Sequence, residues 1–396
     1  MESISLFRWQ IPVRRTQQVL LYALLVANCV QYSVLSLDSD CYNVLRKVIM
    51  GLFVCLCVTV PLRGAIRSIA AERSIKIMAL SLAAFSLLSG VLWSFNANIS
   101  FSAPRDLLVT LAIVVCGYNL KVSLEEFETY LSVYVILGAV VALSILIRYG
   151  FSVPELYPDG LCKNQLGVLY GILFLVSLQK AFRQRGNAYF VLCSVVLFWV
   201  LAVMRARAAL VTATGLMFVF IFLVPEETLK KRIVVAALIL CAFVALRNEF
   251  YAVFFSGKEV NNVESISSGR LSRILQGLEY LSHNLLAGSL WESRFGGKTI
   301  HVYALKQVVD FGILLAFPLL IVYGYLFFQG VYHTIRPRVF NVLYVSPYCL
   351  LFLFVESLNE YSYPFSPASS TFLVYLMFGL YLKTIRAVPI CSTFSI

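Results

Sequence analysis

Residues 187–224 read NAYFVLCSVVLFWVLAVMRARAALVTATGLMFVFIFLV, apolar throughout except at Arg205 and Arg207. A guanidinium group is costly near the centre of a bilayer, so these two arginines mark a membrane face. The stretch therefore divides into two spans, 187–204 and 208–224, joined by a tight turn at Arg205-Ala206-Arg207. Short apolar helices, close turns and cations gathered at helix ends recur along the chain.

The composition agrees. The 396 residues are 60% hydrophobic and 13% charged, with a mean hydropathy of +0.84. Soluble domains carry about 25% charged residues, and a water-soluble fold could not hide this much apolar surface. Lipid must be the solvent for most of the chain. The expected fold class is all-α: a polytopic integral membrane protein with about 12 transmembrane helices, forming a single transmembrane domain over 1–396. Spans are expected at 17–37, 47–63, 75–95, 106–120, 127–148, 165–180, 187–204, 208–224, 232–248, 302–329, 339–357 and 367–384. The amino end lacks the pattern of a cleavable signal peptide and is expected to be retained, in the cytoplasm. The ten cysteines are scattered, mostly in apolar runs, and carry no metal-ligand spacing; Cys55 and Cys57 read as small buried hydrophobes. Cys41 and Cys162 fall in expected external loops, where sequence cannot argue a disulfide.

Lys and Arg placement sets the orientation. With the amino end inside, the internal side collects Arg63, Arg67, Arg73 and Lys76, then Lys180, Arg183 and Arg185, then Lys230, Lys231 and Arg232, then Arg336 and Arg338, and finally Lys383 and Arg386. That accounting gives about +11 inside and about +1 outside. The net +12 is thus a topology signal, dealt out in small groups at helix ends, and not a nucleic-acid footprint. External cations run against the rule and need another reason to be there: Lys163, Arg205, Arg207, Arg270, Arg273, Arg294 and Lys298. Binding an anion is the obvious one.

Residues 249–300 form a long external loop between the ninth and tenth spans, where most connections are a handful of residues. Leu271, Ile274, Leu275, Leu278 and Leu281 repeat there at helical spacing, with Ser267 or Ser268 placed to cap the start. An amphipathic helix at the outer membrane surface, or over a cavity, is expected. Gly296-Gly297 reads as a loop hinge.

Four external places could carry chemistry: Lys163-Asn164 where a loop re-enters the membrane, the Arg205–Arg207 turn, Ser268-Gly269-Arg270 with Arg273, and His301 with Tyr303. Arginine grips phosphate oxygens bidentately and stays charged, and preplaced guanidinium groups stabilise a departing pyrophosphate. A neutral imidazole could take the proton from an attacking hydroxyl, and a helix start at Arg270 would add partial positive charge. Taken singly, an interfacial arginine more commonly snorkels or meets a headgroup. His283 and His333 carry no signature. Glu356 and Glu360, near the last external turn, could orient an acceptor sugar or cap a loop, and the sequence favours neither.

In order and on one membrane face, roughly residues 160–370 present Lys163-Asn164, Arg-Ala-Arg at a tight turn, Ser-Gly-Arg opening the long loop, His301 before Asp310-Phe311-Gly312, and Glu356-Ser357-Leu358 before a Pro-containing turn. This set resembles the O-antigen ligase/polymerase superfamily, the Wzy-type polymerases and WaaL-type ligases. The resemblance implies a GT-C-like helical fold in a bacterial inner membrane, with both termini cytoplasmic and a periplasmic active site. It implies a metal-independent inverting glycosyltransferase without a cofactor, whose donor is an undecaprenyl-pyrophosphate-linked glycan. A chain-length regulator and a flippase of the same pathway would be its partners, beside the lipid bilayer; nucleic acid is not among them. By position, Arg205 or Arg207 and Arg270 would hold the pyrophosphate and His301 would serve the acceptor. His301 and Arg270 are thus the expected catalytic pair; Lys163, Asn164, Arg205, Arg207, Arg273, Tyr303 and Glu356 are the expected substrate-binding set. The chain departs from many relatives in reading His301-Val302 for His-Asn, and Leu286-Ala287-Gly288-Ser289 where a Gly-x-Gly follows the loop helix.

The leading expectation is a polymerase joining repeat units into O-antigen, capsule or exopolysaccharide. A ligase moving the finished glycan to lipid A core shares the donor site. From other classes come a multi-span transporter and a non-catalytic envelope scaffold. A transporter would more usually have two pseudo-repeated halves and charge at mid-membrane, which this sequence lacks.

Overall fold

The computed structural model describes residues 3–6, 9–30, 39–58, 66–67, 70–95, 97–150, 163–183, 188–223, 244, 247–255, 267, 269–291, 300–360, 363–365 and 369–387. Strands β1 (Ser3–Leu6) and β2 (Trp9–Pro12) pair antiparallel, Ser3 opposite Pro12 and Leu6 opposite Trp9. They are an exception to the all-α expectation; the Ser-Ile-Ser-Leu alternation of β1 has the period of a strand.

The rest is helical. The helices are α1 (Val13–Val30), α2 (Ser39–Val58), α3 (Arg73–Trp93), α4 (Ser102–Asn119), α5 (Leu124–Tyr149), α6 (Lys163–Arg183), α7 (Ala188–Val203), α8 (Arg207–Leu223), α9 (Arg247–Phe255), α10 (Arg270–Asn284), α11 (Tyr303–Ile335), α12 (Ser346–Glu356) and α13 (Ser369–Ala387). Every expected span but the ninth falls on one of these; most of 232–248 lies outside the described residues, as do Cys162, Ser268, Arg294, Gly296, Gly297 and Lys298, while Cys41, expected in an external loop, falls within α2. Among the described helices, four are long and apolar enough to cross a membrane: Arg73–Trp93, Leu124–Arg148, Asn164–Arg183 and Tyr303–Ile335. Ala188–Val203, Arg207–Leu223 and Val342–Glu356 are apolar but shorter. The chain is a helical membrane protein.

Local chemistry sets the helix ends. Ser123 and Glu126 exchange hydrogen bonds in a capping box that starts α5, Glu126 N–H to Ser123 Oγ at 3.1 Å and Ser123 N–H to Glu126 Oε2 at 2.9 Å. The expected span 339–357 is broken: Asn341 accepts from Leu343 N–H at 2.9 Å to start a 3₁₀ turn over Val342–Val345, and α12 follows. Inside the bundle, α4 and α13 cross at backbone contact. A Cβ on Gly117 would lie 2.2 Å from the Leu376 carbonyl oxygen, and one on Gly379 would lie 2.1 Å from that of Val114. Small residues at such crossings replace the hydrophobic drive that lipid removes. Cys57 is buried as expected, whereas its neighbour Cys55 faces outward.

One large core joins the helices, and a small satellite of Leu281, Ile300 and Val309 fastens α10 to the start of α11. Helix α10 occupies the expected stretch, but a serine does not cap it: Gly269 is the N-cap residue, in the left-handed region at φ 75°. Its Gly277 and Leu281 face inward, while Leu271, Leu275 and Leu278 are exposed.

The far end of α10 is wedged into a break in α11. Gly312 interrupts that helix at φ 65°, ψ 166°, a region open essentially to glycine alone. Ile313 N–H donates to Leu285 O at 2.8 Å, and Ser289 N–H to Val309 O at 2.9 Å. Gly288, at φ 56°, meets Gly312 so closely that a Cβ on it would lie 2.3 Å from the Gly312 nitrogen. Beside this joint, Asn98 N–H donates to Leu290 O at 2.7 Å and Trp291 Nε1 to Phe95 O at 3.1 Å.

Candidate functional site

Most of the expected site residues meet at one end of the bundle. The turn between α7 and α8 brings in Arg207, with Arg205 at the turn itself. Ala206 N–H reaches back to Leu201 O at 3.2 Å and Arg205 N–H to Ala202 O at 2.9 Å, the paired bonds of a Schellman turn. Arg205 occupies the left-handed position of that turn, at φ 51°, where glycine is the usual residue. Arg207 opens α8 and donates from Nη1 to the Phe254 carbonyl at 2.9 Å, so α9 lies against it.

The turn after α12 supplies the acids. Asn359 and Glu360 both donate backbone N–H groups to Glu356 O, each at 2.9 Å, which folds the segment back. Tyr303 N–H donates to Ser357 O at 2.9 Å and ties in the entry to α11. Tyr303 itself is buried, stacked on Tyr323 with centroids 5.5 Å apart and packed edge-on against Phe365. Tyr323 OH pairs with Ser357 Oγ at 2.9 Å. Tyr303 therefore holds the floor of the site from within the bundle. Glu356 is also buried, and accepts from Thr212 Oγ1 of α8 at 2.7 Å.

His301 lies between α10 and this turn. Arg273 Nη1 is 2.8 Å from His301 Nε2, and Glu360 Oε2 is 3.9 Å from His301 Nδ1. Glu360 Oε2 also accepts from Asn164 Nδ2, at the start of α6, at 2.6 Å. Arg270 Nη1 reaches Asn359 Oδ1 at 3.5 Å. The Lys163 side chain lies outside the described residues, although its helix begins there.

The charges act on one another. Burial holds the Arg270 guanidinium below its ordinary value, opposed by Glu360 and Glu356 and reinforced by Arg207 and Arg273. The same residues that the sequence places far apart thus share one electrostatic field. Burial, then Arg270, then Arg273, hold the His301 imidazole below its ordinary value, which favours the neutral ring. Three guanidinium groups, from two separate segments, face two carboxyl groups and a neutral base. Such a site can accept a polyvalent anion and offers a proton acceptor beside it.

Sequence reasoning gave Glu356 and Glu360 the same two readings, and named only Glu356 for the site. The geometry separates them: Glu360 meets Asn164 and His301, whereas Glu356 is enclosed against Thr212. A partnership spanning 196 residues, as between Asn164 and Glu360, leaves no spacing to read. Of the remaining histidines, His333 is buried, its Nε2 paired with Gln329 Oε1 at 3.0 Å, and packs against Tyr381.

No known family model matches the chain, and no curated protein matches it.

Proposed function

We propose that this chain is a membrane glycosyltransferase that polymerises undecaprenyl-pyrophosphate-linked repeat units into a surface polysaccharide at the periplasmic face of a bacterial inner membrane. The observation that carries the reading is the meeting of Arg207, Arg270 and Arg273 with the neutral imidazole of His301. The donor pyrophosphate would sit among the guanidinium groups, which neutralise the charge that gathers on it as the sugar C1–O bond breaks. His301 would accept the proton of the attacking hydroxyl while that oxygen bonds to C1 from the opposite face. The distribution of cations supports a periplasmic placement. The opposite end of the bundle carries Arg14, Lys180, Arg183, Lys383 and Arg386, as the cytoplasmic side of a membrane protein does.

The test is elongation by the purified protein in lipid, offered a lipid-linked repeat unit as donor and either a second repeat unit or lipid A core as acceptor. Growth on the repeat unit is expected. Transfer only to lipid A core would replace the polymerase reading with the ligase reading, which shares the donor site. Arg270→Ala and His301→Ala should each stop elongation while the protein still inserts in the membrane. Loss of one guanidinium contact in a closed anion site costs about 3–4 kcal/mol in the transition state. Full-length polymer from both variants would end the enzymatic reading.

A further inference from the structure

The groups around His301 fix which of its ring nitrogens holds the proton. A guanidinium group donates and cannot accept. With Arg273 Nη1 at 2.8 Å, Nε2 must be the accepting nitrogen, and the proton of the neutral ring is on Nδ1. On that other side, Nδ1 is buried and faces Glu360 Oε2 at 3.9 Å. The carboxylate is itself held: Asn164 Nδ2 donates to the same oxygen at 2.6 Å, and the Glu360 N–H donates to Glu356 O at 2.9 Å. The charged groups facing the ring are thus Arg270 and Arg273 from α10 and Glu360 from the turn after α12.

We propose that Glu360 is a positioning residue: anchored by Asn164, it keeps the His301 ring proton on Nδ1 and leaves Nε2 as the base, which Arg273 caps until an anion draws it away. The inference rests on the glycosyltransferase reading for its chemistry, and follows the general pattern of a base oriented by a third group. When Arg273 turns to the donor pyrophosphate, Nε2 is freed. The acceptor O–H gives its proton to Nε2, and the oxygen lone pair bonds to the sugar C1. The C1–O bond breaks toward the pyrophosphate, whose new negative charge meets Arg270 and Arg273. The imidazolium so formed has the Glu360 carboxylate behind its Nδ1–H. Its proton then passes to solvent.

The test reads the tautomer directly and does not need turnover. Full-length protein carrying ¹⁵N-labelled histidine, in lipid nanodiscs, is examined by nitrogen NMR, with His301→Gln assigning the signal among the three histidines. The wild type should hold its proton on Nδ1 at pH 8. Arg273→Gln should keep that tautomer, since Glu360 remains, and the double variant Arg273→Gln/Glu360→Leu should lose it. A wild type protonated on Nε2, or an Arg273→Gln ring that switches to Nε2–H, would overturn the proposal. In elongation assays Glu360→Gln should lower kcat about tenfold or more at unchanged donor KM, and Glu360→Asp should recover part of the loss. A rise in donor KM alone would make Glu360 a binding residue and defeat the inference. Should the wild type elongate nothing while its tautomer is as expected, the enzymatic reading fails and the placement of the proton stands.

Discussion

Replacing Gly312 with alanine tests whether the joint between α10 and α11 holds the site together. The residue sits at φ 65°, ψ 166°, a conformation that raises the energy of any L side chain by about 1–3 kcal/mol. The added Cβ would lie 2.2 Å from the Leu286 carbonyl oxygen and 2.5 Å from the Ala287 carbonyl carbon, both backbone atoms that no rotamer change can move. Separating the two segments by the missing ångström or so strains the Ile313–Leu285 and Ser289–Val309 hydrogen bonds, worth about 0.5–1.5 kcal/mol each. The expected loss is therefore about 3–5 kcal/mol. Gly324, on the same helix, is the control: nothing lies within 4 Å of its added Cβ. Alanine there should be neutral or stabilise by about 0.5–1 kcal/mol. Thermal unfolding in detergent should place Gly312→Ala several degrees below wild type and Gly324→Ala at or above it. Elongation should fall with the first variant alone, because α10 carries Arg270 and Arg273. If Gly312→Ala melted with the wild type and kept its activity, the reasoning from backbone contact would be wrong.

His301 should give the pH profile a definite sign. Its imidazole is held low in the folded protein, so the unfolded chain binds the proton first, at about pH 6.5. As pH falls through 6.5 the wild type should lose stability that His301→Gln keeps, and elongation should persist below the ordinary imidazole value. Arg270→Gln removes one of the cations responsible and should move the acidic limb of any residual activity upward; an unmoved limb would count against the charge argument. Thr212→Val removes the donor to the enclosed Glu356 carboxyl and should cost about 1–3 kcal/mol in detergent melts. At the other end of the bundle, Lys180 is buried and lies 3.6 Å from Glu128, which also pairs with Arg183 at 3.7 Å. Glu128→Gln should destabilise by about 3–5 kcal/mol by stranding a buried cation; a melt within a degree of wild type would show that Lys180 has other support.

Much of this was legible in the residues. The paired arginines at 205 and 207 divided a continuous apolar run at the point where the chain turns, because charge and bilayer depth are coupled. Leucines at helical spacing announced α10, and three of the cations expected on the external side, Arg207, Arg270 and Arg273, are among the residues that gather. Asp310-Phe311-Gly312 was visible only as a motif, since a break within a helix depends on what is inserted there from Leu285 to Ser289. Tyr303 shared a turn with His301 in the sequence, yet its ring turns inward because Tyr323 and Phe365 offer it a buried face. Arg270 and Arg273 are alike in sequence, and only the helix phase shows that the second reaches the imidazole.

Arg205 adopts a backbone pose in which glycine would sit more comfortably by about 1 kcal/mol. Every copy of the turn therefore leans toward a substitution that would erase its guanidinium group. Under selection for heat resistance alone, glycine is the substitution expected at this position.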